Sequence, residues 1–69
     1  MFNNTYVKLM LHLIHMSDKL GIDPNTKYSP CLAFYRFIDK THGLKLAEQT
    51  WYDAYQIFTE QFMDEVSNV

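Results

Sequence analysis

Apolar residues recur at helical spacing along most of the chain, in three segments separated by turn-forming residues. Side chains three and four positions apart share one face of an α-helix, and no stretch alternates in the manner of a β-strand. The sequence therefore predicts an all-α fold, a compact three-helix bundle with helices at about residues 4–20, 30–42 and 45–66. Residues 1–69 would form a single helical domain.

The turn residues between the segments support these boundaries. Gly21 follows the first segment, and residues 23–25, Asp-Pro-Asn, are a strong turn signal. Ser29 offers a capping hydroxyl directly before Pro30, whose missing N–H costs nothing at the first helical position. Gly43 closes the second segment. No glycine or proline interrupts the third, so we expect one continuous helix there.

The third helix is predicted to have one core face and one partner-binding face. Steps of about 100° per residue place its core stripe at Leu44, Ala47, Trp51, Ala54, Tyr55, Phe58, Phe62 and Val66. Acidic residues lie almost opposite this stripe, and an aromatic residue and a methionine fall outside it. We expect this outer set to bind a partner: Tyr52, Asp53, Glu60, Met63 and Asp64.

The first helix carries more apolar surface than a three-helix bundle needs. Its polar residues form one narrow stripe, and apolar residues cover most of the remaining circumference. Surplus contiguous apolar surface usually marks association, so we predict a homodimer that completes the bundle, or an obligate partner. The expected self-association residues are Val7, Met10, Leu11 and Ile14. The polar stripe is a second candidate partner surface and consists of Lys8, His12, His15 and Lys19.

Charge is segregated along the chain. All six basic side chains lie in residues 1–45, whereas residues 46–69 contain five acidic residues and no basic one. The net charge of −2 argues against a general nucleic-acid binder, which needs an excess of Lys and Arg. An acidic third helix suits a protein partner with a basic surface instead.

The same composition indicates the cellular setting. Cys31 is the only cysteine, which excludes an intrachain disulfide and favours a reducing cytoplasm. No apolar run reaches the length of a membrane span, so a membrane partner is not expected. A secretory signal is not expected either, since no basic region or small-residue cleavage site frames the first apolar run.

Candidate chemistry is sparse. His12 and His15 lie on adjacent turns and form half of a metal site, but Lys8 and Lys19 beside them would repel a cation. Cys31 falls on an apolar face, as an inert buried thiol does. No catalytic triad spacing and no glycine-rich phosphate loop is present. We therefore predict no enzyme activity, no catalytic residue, no metal and no cofactor.

A helix-turn-helix interpretation of the second and third helices is disfavoured, because acidic outer residues would repel phosphate. The compact, Asn- and Tyr-rich chain resembles small proteins encoded by phages and other mobile elements, which commonly block a host enzyme or defence complex. We expect a non-enzymatic protein that binds another protein stoichiometrically. One alternative is a structural subunit of a larger assembly. The other is a nucleic-acid-binding regulator with a cationic surface of Lys8, His12, His15, Lys19, Arg36 and Lys40.

Overall fold

The structure, a computed structural model, describes the backbone of residues 4–63 and the side chains of residues 4–61. Three α-helices follow one another: α1 (Asn4–Leu20), α2 (Pro30–His42) and α3 (Leu44–Phe58). A short π-helical segment, Thr59–Met63, continues α3. The helices pack against each other, and the described residues contain no strand. The predicted all-α, three-helix fold is confirmed.

The predicted capping and turn residues lie at the helix boundaries. The Ser29 hydroxyl accepts a hydrogen bond from the Cys31 backbone N–H at 3.1 Å and caps α2. At the other end, the Gly43 N–H donates to the Asp39 carbonyl at 2.9 Å. Gly43 has φ 106° and ψ 161°, a backbone region that is nearly restricted to glycine. This one residue ends α2 and precedes α3, so the two helices form a tight antiparallel hairpin.

The third helix differs from the prediction at its carboxyl end. Thr59 donates its hydroxyl to the Tyr55 carbonyl at 2.7 Å, and its backbone N–H is directed to the same carbonyl. A threonine hydroxyl that competes for the carbonyl four residues earlier perturbs regular α-geometry. The chain changes there to the wider π-helical turn. Residues 59–63 are helical, as predicted, but have π-helical rather than α-helical geometry, and residues 64–66 lie outside the described residues.

The order of contacts along the helices defines their directions. Tyr6, near the start of α1, contacts His42 at the end of α2, whereas Ser17 and Cys31 meet at the opposite ends of these helices. Thus α1 and α2 are antiparallel. His15 lies beside Phe58, so α1 runs in the same direction as α3.

All three helices contribute to one core, whose buried hydrophobic residues are Val7, Met10, Ile14, Cys31, Ile38, Ala47, Ala54 and Phe58. Ala47 and Ala54 are fully buried and have no bulk beyond Cβ, so neighbouring helices can approach α3 closely. The Ser17 hydroxyl and the Cys31 thiol lie 3.6 Å apart inside this core. This polar contact joins α1 to α2.

The predicted core stripe of α3 is largely correct. Ala47, Ala54 and Phe58 are buried, and Trp51 and Tyr55 are half-buried against the core. The assignment of Leu44 to the core stripe is wrong, because this first residue of α3 is 51% exposed. The side chains of residues 62 and 66, also assigned to the stripe, lie outside the described residues.

The predicted self-association face does not exist as a surface. Val7, Met10 and Ile14 have exposed fractions of at most 2% and lie within the core of the single chain. The prediction is wrong for these three residues, because α2 and α3 already cover that side of α1. Leu11, the fourth, is half-buried against the core.

Candidate functional site

A groove lies between α2 and α3 and has a volume of about 410 Å³. We call it the aromatic groove; its lining residues are Asn25, Leu32, Tyr35, Glu48, Trp51 and Tyr52. The hairpin formed at Gly43 brings Tyr35 of α2 opposite Trp51 of α3. Asn25, from the turn between α1 and α2, lies at its edge.

Ring packing holds the aromatic side chains of the groove in place. Tyr35 and Trp51 meet edge to face, with centroids 5.8 Å apart and planes at 87°. Trp51 also contacts Tyr55, with centroids 5.2 Å apart and planes at 40°. Edge-to-face and tilted arrangements are the favourable ones for aromatic pairs. The indole therefore packs against two tyrosines, while Tyr52 is 61% exposed beside it.

The charged group that lines the groove is acidic. Glu48 is its one charged lining residue in the described structure. The pKa of Tyr35 is raised, first by burial and then by the negative charges of Glu48 and Asp39. Within the described part of the chain, the Glu48 carboxylate has no hydrogen-bond or ion-pair partner. An aromatic surface with an unneutralised carboxylate is suited to a cationic group.

The cationic stripe of α1 lies elsewhere on the molecule. Lys8, His12 and His15 line a shallow cleft of about 240 Å³ together with Leu11. Lys19 is exposed but does not line this cleft. The His15 ring lies 6.5 Å from that of Phe58, at the contact between α1 and α3. In residues 4–61, no three metal-ligating side chains converge.

The structure describes the side chains of three of the five predicted partner residues of α3. Tyr52 lines the aromatic groove. Asp53 projects about 100° away from it, is half-buried, and accepts a hydrogen bond from Gln49 Nε2 at 2.9 Å. Glu60 is exposed on the π-helical segment. The Met63 side chain and Asp64 lie outside the described residues.

Apolar side chains do remain on the surface of α1, as the composition of that helix suggested. Leu9, Met16 and Leu20 are 45%, 41% and 68% exposed, and Leu13 between them is half-buried. We call these four residues the apolar stripe. Their spacing of four, three and four is that of a helix-packing seam. The surplus apolar surface is therefore present, but on the opposite side of α1 from the predicted residues.

Sequence reasoning placed Trp51 in the core stripe of α3 and did not predict the groove. One signal was available: Glu48, Trp51 and Tyr52 have i, i+3 and i+4 spacing and share one side of α3. Their pairing with Tyr35 depends on the register between two helices. That register is a tertiary property, which helical periodicity does not contain.

None of the helices in the described residues has both the length and the hydropathy needed to cross a lipid bilayer. Comparison of the chain with protein-family models, curated proteins and solved structures finds no match.

Proposed function

We propose that this chain is a small non-enzymatic interaction protein that binds another protein with a basic surface, stoichiometrically, through the side of α3 that faces the aromatic groove. The observation that supports this most directly is the exposure of Tyr52 beside the half-buried Trp51 and beside Glu48, whose carboxylate has no ion-pair partner among the described residues. Exposed aromatic residues next to a rigid pocket are characteristic of residues that dominate binding energy.

Charge complementarity determines the kind of partner. Glu48 and Glu60 are exposed on α3 and on its π-helical extension. Opposite charges on the two surfaces accelerate encounter and exclude partners of the wrong sign. The proposed role is that of a phage or mobile-element protein that binds the basic surface of a host enzyme or defence complex in the cytoplasm. Such a role requires a complementary binding surface and no catalytic group.

The test compares two tyrosines that are both exposed. Tyr52 lines the groove, whereas Tyr28 is 87% exposed in the turn before α2, outside the groove lining. The full chain is used to capture a partner from host lysate, and the purified pair is then titrated by calorimetry. Tyr52→Ala should weaken binding by about thirtyfold, equivalent to about 2 kcal/mol, whereas Tyr28→Ala should not. Equal affinities of the two variants, or a stoichiometry far from one to one, would refute the proposal.

Self-association is a second candidate, and the apolar stripe of α1 favours it. Leu9, Met16 and Leu20 expose large apolar side chains at seam spacing, so a second copy of α1 would bury them in an antiparallel pair. Light scattering at micromolar concentration should give twice the monomer mass for the chain. The double change of Leu9 and Met16 to Gln should restore the monomer mass. A monomer at all concentrations would remove this candidate.

The nucleic-acid and structural alternatives predict different behaviour. A regulator that used the cationic residues of α1 and α2 would shift duplex DNA in a salt-dependent manner, and changing Lys8 and Lys19 to Gln would abolish the shift. A structural subunit would remain in one large assembly throughout purification. The proposed function instead requires a complex that depends on Tyr52.

A further inference from the structure

We propose that the aromatic groove accommodates the guanidinium group of an arginine side chain carried by the partner. This inference rests on the proposed function, and it identifies the chemical group that the groove recognises. It assigns Trp51 and Tyr52 as stacking residues, and Glu48 as the acceptor of the guanidinium hydrogen bonds.

The aromatic geometry supports a planar cationic occupant. The face of Trp binds cations more strongly than that of any other aromatic residue, and Tyr rings add to this attraction. Contacts to Tyr35 and Tyr55 orient the Trp51 indole before any ligand arrives. A site already organised in this way loses little conformational entropy on binding. Leu32 adds an apolar wall against which the methylene chain of an arginine can pack.

The distribution of charge supports a cation. The groove is lined by the carboxylate of Glu48 and by no Lys, Arg or His among the described residues. The chain makes a cation–π contact of its own, in which Lys27 Nζ lies 5.8 Å from the centroid of the Tyr28 ring. Both of those residues lie outside the groove lining. Within residues 4–61, the groove thus retains a negative charge without an ion-pair partner next to aromatic rings.

Arginine fits these features better than lysine does. Its guanidinium is planar, stacks on aromatic rings and is less strongly hydrated than an ammonium group. It also donates two parallel hydrogen bonds to one carboxylate. A lysine ammonium would satisfy Glu48 as a point charge but would gain less from the rings of Trp51 and Tyr52.

Trp51 itself reports occupancy, because it is the only tryptophan in the chain. The full chain is titrated with a short synthetic peptide that carries one central arginine, and Trp51 fluorescence is recorded. Matched peptides carry lysine or the neutral isostere citrulline at the same position. We expect saturable quenching by the arginine peptide, weaker binding of the lysine peptide and no response to citrulline. Absence of a response to arginine, or equal binding of the three peptides, would overturn the proposal.

Two variants that each remove one carboxylate separate a specific site from general charge attraction. Glu48→Gln removes the charge within the groove, and Asp18→Asn removes the same charge from an exposed residue of α1 outside the groove lining. Far-ultraviolet circular dichroism verifies that both variants fold. Glu48→Gln should weaken binding of the arginine peptide about tenfold, and Asp18→Asn should have little effect. Equal losses in the two variants would overturn the assignment of Glu48.

Failure of this inference is distinguishable from failure of the proposed function. If a protein partner binds in a Tyr52-dependent manner while the arginine peptide gives no response, the guanidinium assignment is wrong and the function stands. If the peptide saturates the groove but no protein partner depends on Tyr52, the groove chemistry stands and the function is wrong.

Discussion

The hydroxyl of Thr50 provides a sharp test of the core packing. Thr50 is 1% exposed, and in the described structure its Oγ1 atom is buried without a hydrogen-bond partner. A buried hydroxyl that loses water without gaining a protein partner costs about 1–3 kcal/mol. Valine has nearly the same shape and a similar helix propensity, and it has no polar atom to desolvate. Thr50→Val should therefore stabilise the fold.

The expected gain is about 1–3 kcal/mol in the free energy of unfolding. For a domain of this size, each kcal/mol raises the melting temperature by about 4–8 °C. Urea unfolding followed by circular dichroism measures the gain, and an unchanged m-value would show that the denatured state is unaffected. Because a small hydrophobic core rarely contributes more than about 3–5 kcal/mol to stability, this gain would be a large fraction of the total free energy of unfolding.

Thr59→Val is the matched control. The Thr59 hydroxyl is exposed and donates to the Tyr55 carbonyl at 2.7 Å, so its removal deletes a formed hydrogen bond. This variant should be neutral or less stable. If Thr50→Val is no more stable than the original chain, or if Thr59→Val gains as much, the Thr50 hydroxyl is not an unsatisfied buried group and the reasoning is refuted.

Three further predictions concern the hairpin, the thiol and the tyrosines. Gly43→Ala should cost about 1–3 kcal/mol in urea unfolding, and Gly21→Ala, at φ 72°, about 1 kcal/mol. Nothing obstructs a Cβ at either position, so an unchanged stability of either variant would contradict the backbone explanation. The Cys31 thiol, fully buried, should react with a thiol reagent only through unfolding, and rapid reaction in native buffer would show otherwise. The pKa values of Tyr35 and Tyr55 are raised in the folded protein, chiefly by burial. The stability that these two groups contribute is therefore complete below the ordinary phenol pKa and is lost as pH rises through their pKa values in the folded state. Urea unfolding at alkaline pH should show this loss, and Tyr35→Phe should reduce it; a pH-independent stability would contradict the direction.

The helices were predictable because their boundaries depend on local chemistry. Ser29 and Pro30 begin α2, and Gly43 ends it, through contacts with residues a few positions away. The change to π-helix at Thr59 has a local cause too, since its hydroxyl bonds Tyr55 within the same turn. The periodicity of the sequence did not predict this change, because a helical-wheel projection assumes regular α-helical turns throughout.

The candidate site was only partly predictable. Tyr52 was correctly placed outside the core, because its position follows from the spacing within α3 alone. The aromatic groove was not foreseen, because Tyr35 and Trp51 come from different helices. The sequence pattern does not distinguish an aromatic residue that is packed entirely in the core from one that is half-buried and lines a groove.

The sequence by itself determined three helices, their order and the segregation of charge, since each follows from residues near one another in the chain. Tertiary structure decided which side of α1 is covered. That helix is apolar around most of its circumference, so its pattern permits several docking orientations. Packing against α2 and α3 buries Val7, Met10 and Ile14 and leaves Leu9, Met16 and Leu20 outside. The choice follows from how three helices share one core, a property of the assembled bundle that no single helix contains.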